Sequence, residues 1–97
     1  MRPNLVHTRR DWHMYYAKAM AETAKYDNVD WDVMRSIKRQ LEFMKNIVER
    51  GSPSPEDVSR ITVGLLAIRN LDDSSPEFAS WLVELEGGFR HWSSMPW

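Results

Sequence analysis

His7, His13 and His91 are the side chains here best suited to bind a metal or move a proton near neutral pH. None stands four residues from another, the spacing that sets two imidazoles on one helix face, and no nearby acid completes a ligand set. Carboxylates come in pairs at Asp72-Asp73 and at Glu84 with Glu86. Both pairs have polar or amphipathic neighbours, whereas general acid–base work needs a carboxyl desolvated in a cleft. The chain has no cysteine, which removes thiolate nucleophiles, disulfides and cysteine-ligated zinc. It also has no glycine-rich phosphate loop and no nucleophile elbow. The sequence therefore predicts a protein that is not an enzyme, with no catalytic residue, no bound metal and no cofactor.

The chemistry that remains is recognition by charge and by aromatic surface. Asp72-Asp73 sits in a turn between two helix signals, and Glu77 opens the second of them. Five tryptophans in 97 residues is the one compositional oddity. Trp12, Trp31 and Trp81 fall at helical positions and read as core. Trp92 and Trp97 lie beyond the last helix signal, where an indole either folds back onto the protein or anchors a partner, since interfaces are enriched in tryptophan. Asp72, Asp73, Glu77, Trp92 and Trp97 are the candidate partner-binding residues. Arg35, Lys38, Arg39 and Lys45 form one basic helix face, but Glu42 and Glu49 interrupt it. It reads as a solvated surface.

Helices must position these residues. Thr8 and Asp11 form a capping-box pattern, and Trp12, Tyr16, Ala19, Met20 and Thr23 then recur at helical spacing. The next helix has the clearest period, with Met34, Ile37, Leu41, Met44 and Val48 spaced 3, 4, 3 and 4. Gly51 is placed to end it in a left-handed conformation. Ser54-Pro55-Glu56-Asp57 supplies a cap, a proline at the first helical position and two acids in the first turn. From Ile61 to Ile68 no residue is charged, so the third helix is predicted as the central post, buried on every side. Val58, Ile61, Leu65 and Ile68 are its expected deepest stripe, and Gly64 would let another backbone approach. Ser75-Pro76-Glu77 repeats the start signal, Phe78, Trp81, Leu82 and Leu85 face inward, and Gly87-Gly88 is read as the stop. The expectation is an all-α, four-helix bundle-like domain with helices near 9–26, 30–50, 55–70 and 76–86. In domain terms residues 1–97 form one unit: an arm over 1–8, the bundle over 9–86, and an aromatic tail over 89–97.

A net charge of −1 argues against a general nucleic-acid binder, which would show a basic excess on one face. The N-terminus lacks the apolar run of a signal peptide, and no stretch approaches the roughly 18 apolar residues of a membrane span. A soluble, cytoplasmic chain with no nucleic-acid or membrane partner is expected.

Lys38-Arg39-Gln40-Leu41-Glu42-Phe43-Met44, Ser59-Arg60-Ile61-Thr62-Val63-Gly64 with Ala67-Ile68, and Asp72-Asp73-Ser74-Ser75-Pro76-Glu77 together resemble one family. It comprises small helical immunity proteins that neutralise an NAD(P)+-hydrolysing effector toxin of the bacterial type VI secretion system. The likeness runs over about residues 26–86 and leaves out the arm and the tail. It implies a non-enzymatic inhibitor that binds its cognate toxin domain, blocks the active site and works in the cytoplasm. No binding motif of that family is carried over to particular residues. The alternatives are a small helical DNA-binding or regulatory domain and an accessory subunit of a larger complex. A DNA-reading helix would carry polar base-reading groups, and the predicted central helix is apolar instead.

Overall fold

Met34, Ile37, Leu41, Met44 and Val48 are all buried, so the cleanest period in the sequence becomes the core face of helix α2, Asp32–Arg50. Burying each such side chain contributes about 1.5–3 kcal/mol. The computed structural model describes residues 5–97. Before α2 runs α1, Arg9–Ala24, and after it come α3, Pro55–Ser59, α4, Val63–Asn70, and α5, Pro76–Arg90. A 3-10 turn, Trp92–Ser94, follows. The fold is all-α. Four helices make the main packing: α5 lies against α4 and α1, and α2 lies against α1 and α4. The single turn α3 leads into α4.

The caps of α1 and α3 form as the sequence predicts. Thr8 Oγ1 accepts the Asp11 N–H at 3.0 Å, and Asp11 Oδ2 accepts the Thr8 N–H at 3.1 Å. Ser54 and Asp57 make the same reciprocal pair at 3.1 and 2.9 Å. Ser75 precedes Pro76 as expected but makes no side-chain cap bond. Gly51 ends α2 at φ 154° and ψ −136°, a positive-φ extended conformation open to glycine rather than the compact left-handed one.

Two expectations about the helices are corrected. The helix expected over 55–70 is broken between Ser59 and Val63, and the break shifts its register. Ile61, Val63, Ala67 and Leu71 go inside, while Leu65 and Ile68 are 48% and 54% exposed. They are not a deep stripe, and α4 is not buried all round. Gln40 of α2 holds the break: its Oε1 accepts the Thr62 N–H at 2.7 Å, and its Nε2 donates to Thr62 Oγ1 at 3.1 Å. Second, α5 does not stop at Gly87-Gly88 but continues to Arg90. Gly88 is where α1 crosses, because a Cβ there would sit 2.7 Å from Trp12 Cδ1. Trp12 is fully buried and donates its Nε1–H to the Leu85 carbonyl at 2.9 Å.

Arm and tail are fastened to the helices. The first half of the expected arm, residues 1–4, lies outside the described residues. Next to it, Glu84 Oε1 accepts the Leu5 and Val6 N–H groups at 2.8 and 3.1 Å. At the other end Arg9 binds the tail: its N–H donates to the Pro96 carbonyl at 2.7 Å, and its Nε donates to the Trp92 carbonyl at 3.1 Å. A positive side chain at the start of a helix opposes the helix dipole. Here the Arg9 charge is turned toward those carbonyls and lies over the Trp92 and Trp97 rings, 5.1 and 5.7 Å from their centroids.

Candidate functional site

Asp72, Asp73 and Glu77 share one end of the molecule. The turn that carries the two aspartates is held by Leu71, whose side chain is 1% exposed and whose carbonyl accepts the Ser75 N–H at 2.7 Å. With Leu71 anchored inward, Asp72 and Asp73 are exposed, and Glu77 is exposed in the first turn of α5. Three carboxylates thus stand within six residues on a projecting corner between α4 and α5. A hollow of about 230 Å³ adjoins Glu77, walled by Tyr15, Trp81 and Lys18. The Lys18 ammonium lies over both of those rings, at 5.0 and 5.8 Å.

The two tail indoles are elsewhere. At about 1.5 Å of rise per residue, the fifteen residues of α5 put them roughly 22 Å from Glu77 along the helix. Trp92 is 2% exposed and meets Trp12 and His13 edge-on at 5.4 and 5.7 Å. It is a core residue and offers a partner no surface, which corrects its place among the candidates. Trp97 is 65% exposed and stacks on His13 at 5.9 Å. Lys45 Nζ donates to His13 Nδ1 at 3.0 Å. Burial first, and the Lys45 charge second, hold the His13 pKa below its ordinary value. Of the five candidate residues, Trp92 is core and the other four form two groups at opposite ends of α5, an acidic corner and one exposed indole.

On the basic face of α2, Arg35, Lys38 and Lys45 make ion pairs. Arg35 meets Asp30 at 2.6 Å and also Asp32, Lys38 meets Asp27 at 3.6 Å, and Lys45 meets Glu49 at 3.4 Å. His7 and His91 line a common hollow beside Glu84, though Glu84 Oε1 already accepts the arm's N–H groups. Among the described residues no three His, Asp or Glu side chains converge in a way that could hold a metal ion. No helix among them is long and apolar enough to cross a membrane.

Sequence reasoning missed one surface. Leu65 and Ile68 border a groove of about 330 Å³ between α4 and α5, with Val83 and Gly87 on its other side. Glu86 and Arg90 close its end as an ion pair at 3.0 Å. The signal that could have found it is the run Ile61-Thr62-Val63-Gly64, four residues of modest or poor helix propensity where a continuous helix was expected.

A family model described as Tsi6, a family of type VI secretion immunity proteins, matches residues 11–91. The family is not one of enzymes, and its members bind a cognate effector protein. No curated protein and no solved structure matches the chain.

Proposed function

This chain belongs to the Tsi6 family of type VI secretion immunity proteins, and from that premise we propose that it blocks the active site of an effector toxin that consumes NAD(P)+. The observation that carries this reading is the acidic corner: Asp72, Asp73 and Glu77 are exposed together on a turn pinned from inside by Leu71. A cleft that takes up a dinucleotide is lined by cations matched to its phosphates. A projecting group of carboxylates fits such a cleft by charge and needs no chemistry of its own. Trp97 stands apart from the corner and adds at most a second, peripheral contact. Protection of the dinucleotide pool places the protein in the cytoplasm.

The test is binding of Asp72→Lys/Asp73→Lys to the toxin domain of the cognate effector, at two salt concentrations, with NAD(P)+ loss measured alongside. Acidic complementarity mainly sets the on-rate and its salt dependence. The double variant should associate more slowly, lose most of the salt dependence and protect NAD(P)+ less well, with helical content unchanged. Wild-type affinity and salt dependence would remove the corner from the interface. A toxin domain that leaves NAD(P)+ untouched would refute the assigned target.

A further inference from the structure

Gly87 is not required by the packing of this protein. It lies in the last turn of α5, where glycine costs about 0.5–1 kcal/mol relative to alanine, and a Cβ built on it meets nothing within 4 Å. Its neighbour Gly88 is the opposite case, pressed against Trp12. Gly87 borders two hollows: the groove with Leu65, Ile68 and Val83 on one side, and the hollow with Glu84 and His91 on the other. Gly87 is the residue that lines both hollows, and because it carries no side chain we treat the two together as one shallow saddle across α5. Leu65 and Ile68, 48% and 54% exposed, stand along its edge one helical turn apart. Among the described residues the other large exposed apolar side chains lie off α4 and α5: Met14 on α1, Val29 between α1 and α2, and Trp97 beyond the final turn.

Resting on the reading above that the partner is the effector toxin, we infer that this saddle is where the toxin seats its apolar anchor. The occupant is a protein surface carrying an apolar side chain that enters beside Gly87, flanked by basic residues. Leu65, Ile68 and Asp72 follow at spacings of 3 and 4, so the acidic corner begins roughly 10 Å along α4 from Leu65. An apolar centre with a charged rim is the anatomy of a specific protein interface, in which a few central residues carry most of the affinity. The acidic rim selects a basic partner, and it repels nucleic-acid phosphates.

The experiment uses the full chain and the toxin domain of the cognate effector, catalytically inactivated, in calorimetric titrations with thermal unfolding in parallel. Gly87→Leu puts a side chain into the saddle at a position where a Cβ meets nothing within 4 Å, and Leu65→Asp puts a charge at its edge. Each should raise Kd by about 30-fold or more, while unfolding of Gly87→Leu is unchanged or later than wild type. Val29→Asp, on a residue 50% exposed at the α1–α2 connection, should bind as wild type does. Wild-type affinity for Gly87→Leu and Leu65→Asp overturns the saddle as the docking site and leaves the immunity reading standing. A wild-type dimer in light scattering that Gly87→Leu makes monomeric would assign the saddle to a second copy and also overturns it. Failure of the unmutated chain to bind the toxin domain instead defeats the immunity mechanism, and the saddle assignment with it.

Discussion

Glu86 of α5 accepts the Gly64 N–H of α4 at 2.8 Å through Oε1, while its Oε2 receives Arg90 at 3.0 Å. Thr62, the N-cap residue of α4, makes no side-chain cap bond. The first turn of α4 is therefore capped from another helix, by a carboxylate at the positive end of the dipole. Glu86→Ala should cost about 1–2 kcal/mol, and Glu86→Gln, which keeps an acceptor, less. Urea midpoints with unchanged slopes would measure it. Equal stability for both variants and wild type would mean that water caps α4 equally well.

Adjacent glycines should respond with opposite sign. Gly88→Ala drives a methyl against Trp12 and Val6, at 2.7 and 3.1 Å before relaxation. Overpacking of this kind costs about 1–3 kcal/mol. Gly87→Ala meets nothing within 4 Å and should stabilise by about 0.5–1 kcal/mol, since alanine restricts the unfolded chain and suits a helix. Thermal unfolding of the two single variants decides it, and shifts of the same sign would contradict the helix crossing described at Gly88.

Truncations on α4 and α5 should separate core from surface. Leu82 is fully buried, so Leu82→Ala should cost about 2–5 kcal/mol through the cavity it leaves. Leu65→Ala and Ile68→Ala remove half-exposed side chains and should stay below about 1 kcal/mol. Chemical denaturation of the three variants tests the register shift at Thr62. A loss above about 2 kcal/mol at Leu65 would restore the continuous buried helix.

His13 should make stability fall in mild acid. Burial and then Lys45 depress its pKa in the folded protein, so the unfolded chain binds the proton more readily. Stability from this residue is fully present above the unfolded value of about 6.5 and is lost as pH falls below it toward the folded pKa. His13→Phe keeps a ring against Trp97 and removes the titration. The variant's unfolding temperature should drop less than that of wild type between pH 7.5 and 5.5. Parallel curves would show that His13 protonates without cost in the folded state.

An asymmetric salt response would locate the recognition charge. Asp72→Lys/Asp73→Lys should weaken toxin binding chiefly through the on-rate, with helical circular dichroism retained. Stopped-flow association at low and high salt separates this from a loss of anchoring, which acts on dissociation.

Local information in the sequence determined the all-helical fold, the caps of α1 and α3, and the buried face of α2. A period of 3.6 needs only one helix to be read, and the Thr8–Asp11 and Ser54–Asp57 boxes close within four residues. Those same turn signals placed Asp72, Asp73 and Glu77 at an exposed corner. The tertiary structure alone decided what became of Ile61–Leu71. An uncharged run reads as buried on all sides, and its phase changes only because Gln40 and Glu86, from helices distant in sequence, satisfy the backbone where it breaks. It also decided the roles of the tail indoles and the paired glycines. Whether Trp92 is core and Trp97 surface depends on Arg9 and His13, about 80 residues away in the chain. Gly87 and Gly88 are equivalent to any local rule, and they differ only because α1 crosses α5 at one and leaves the other open.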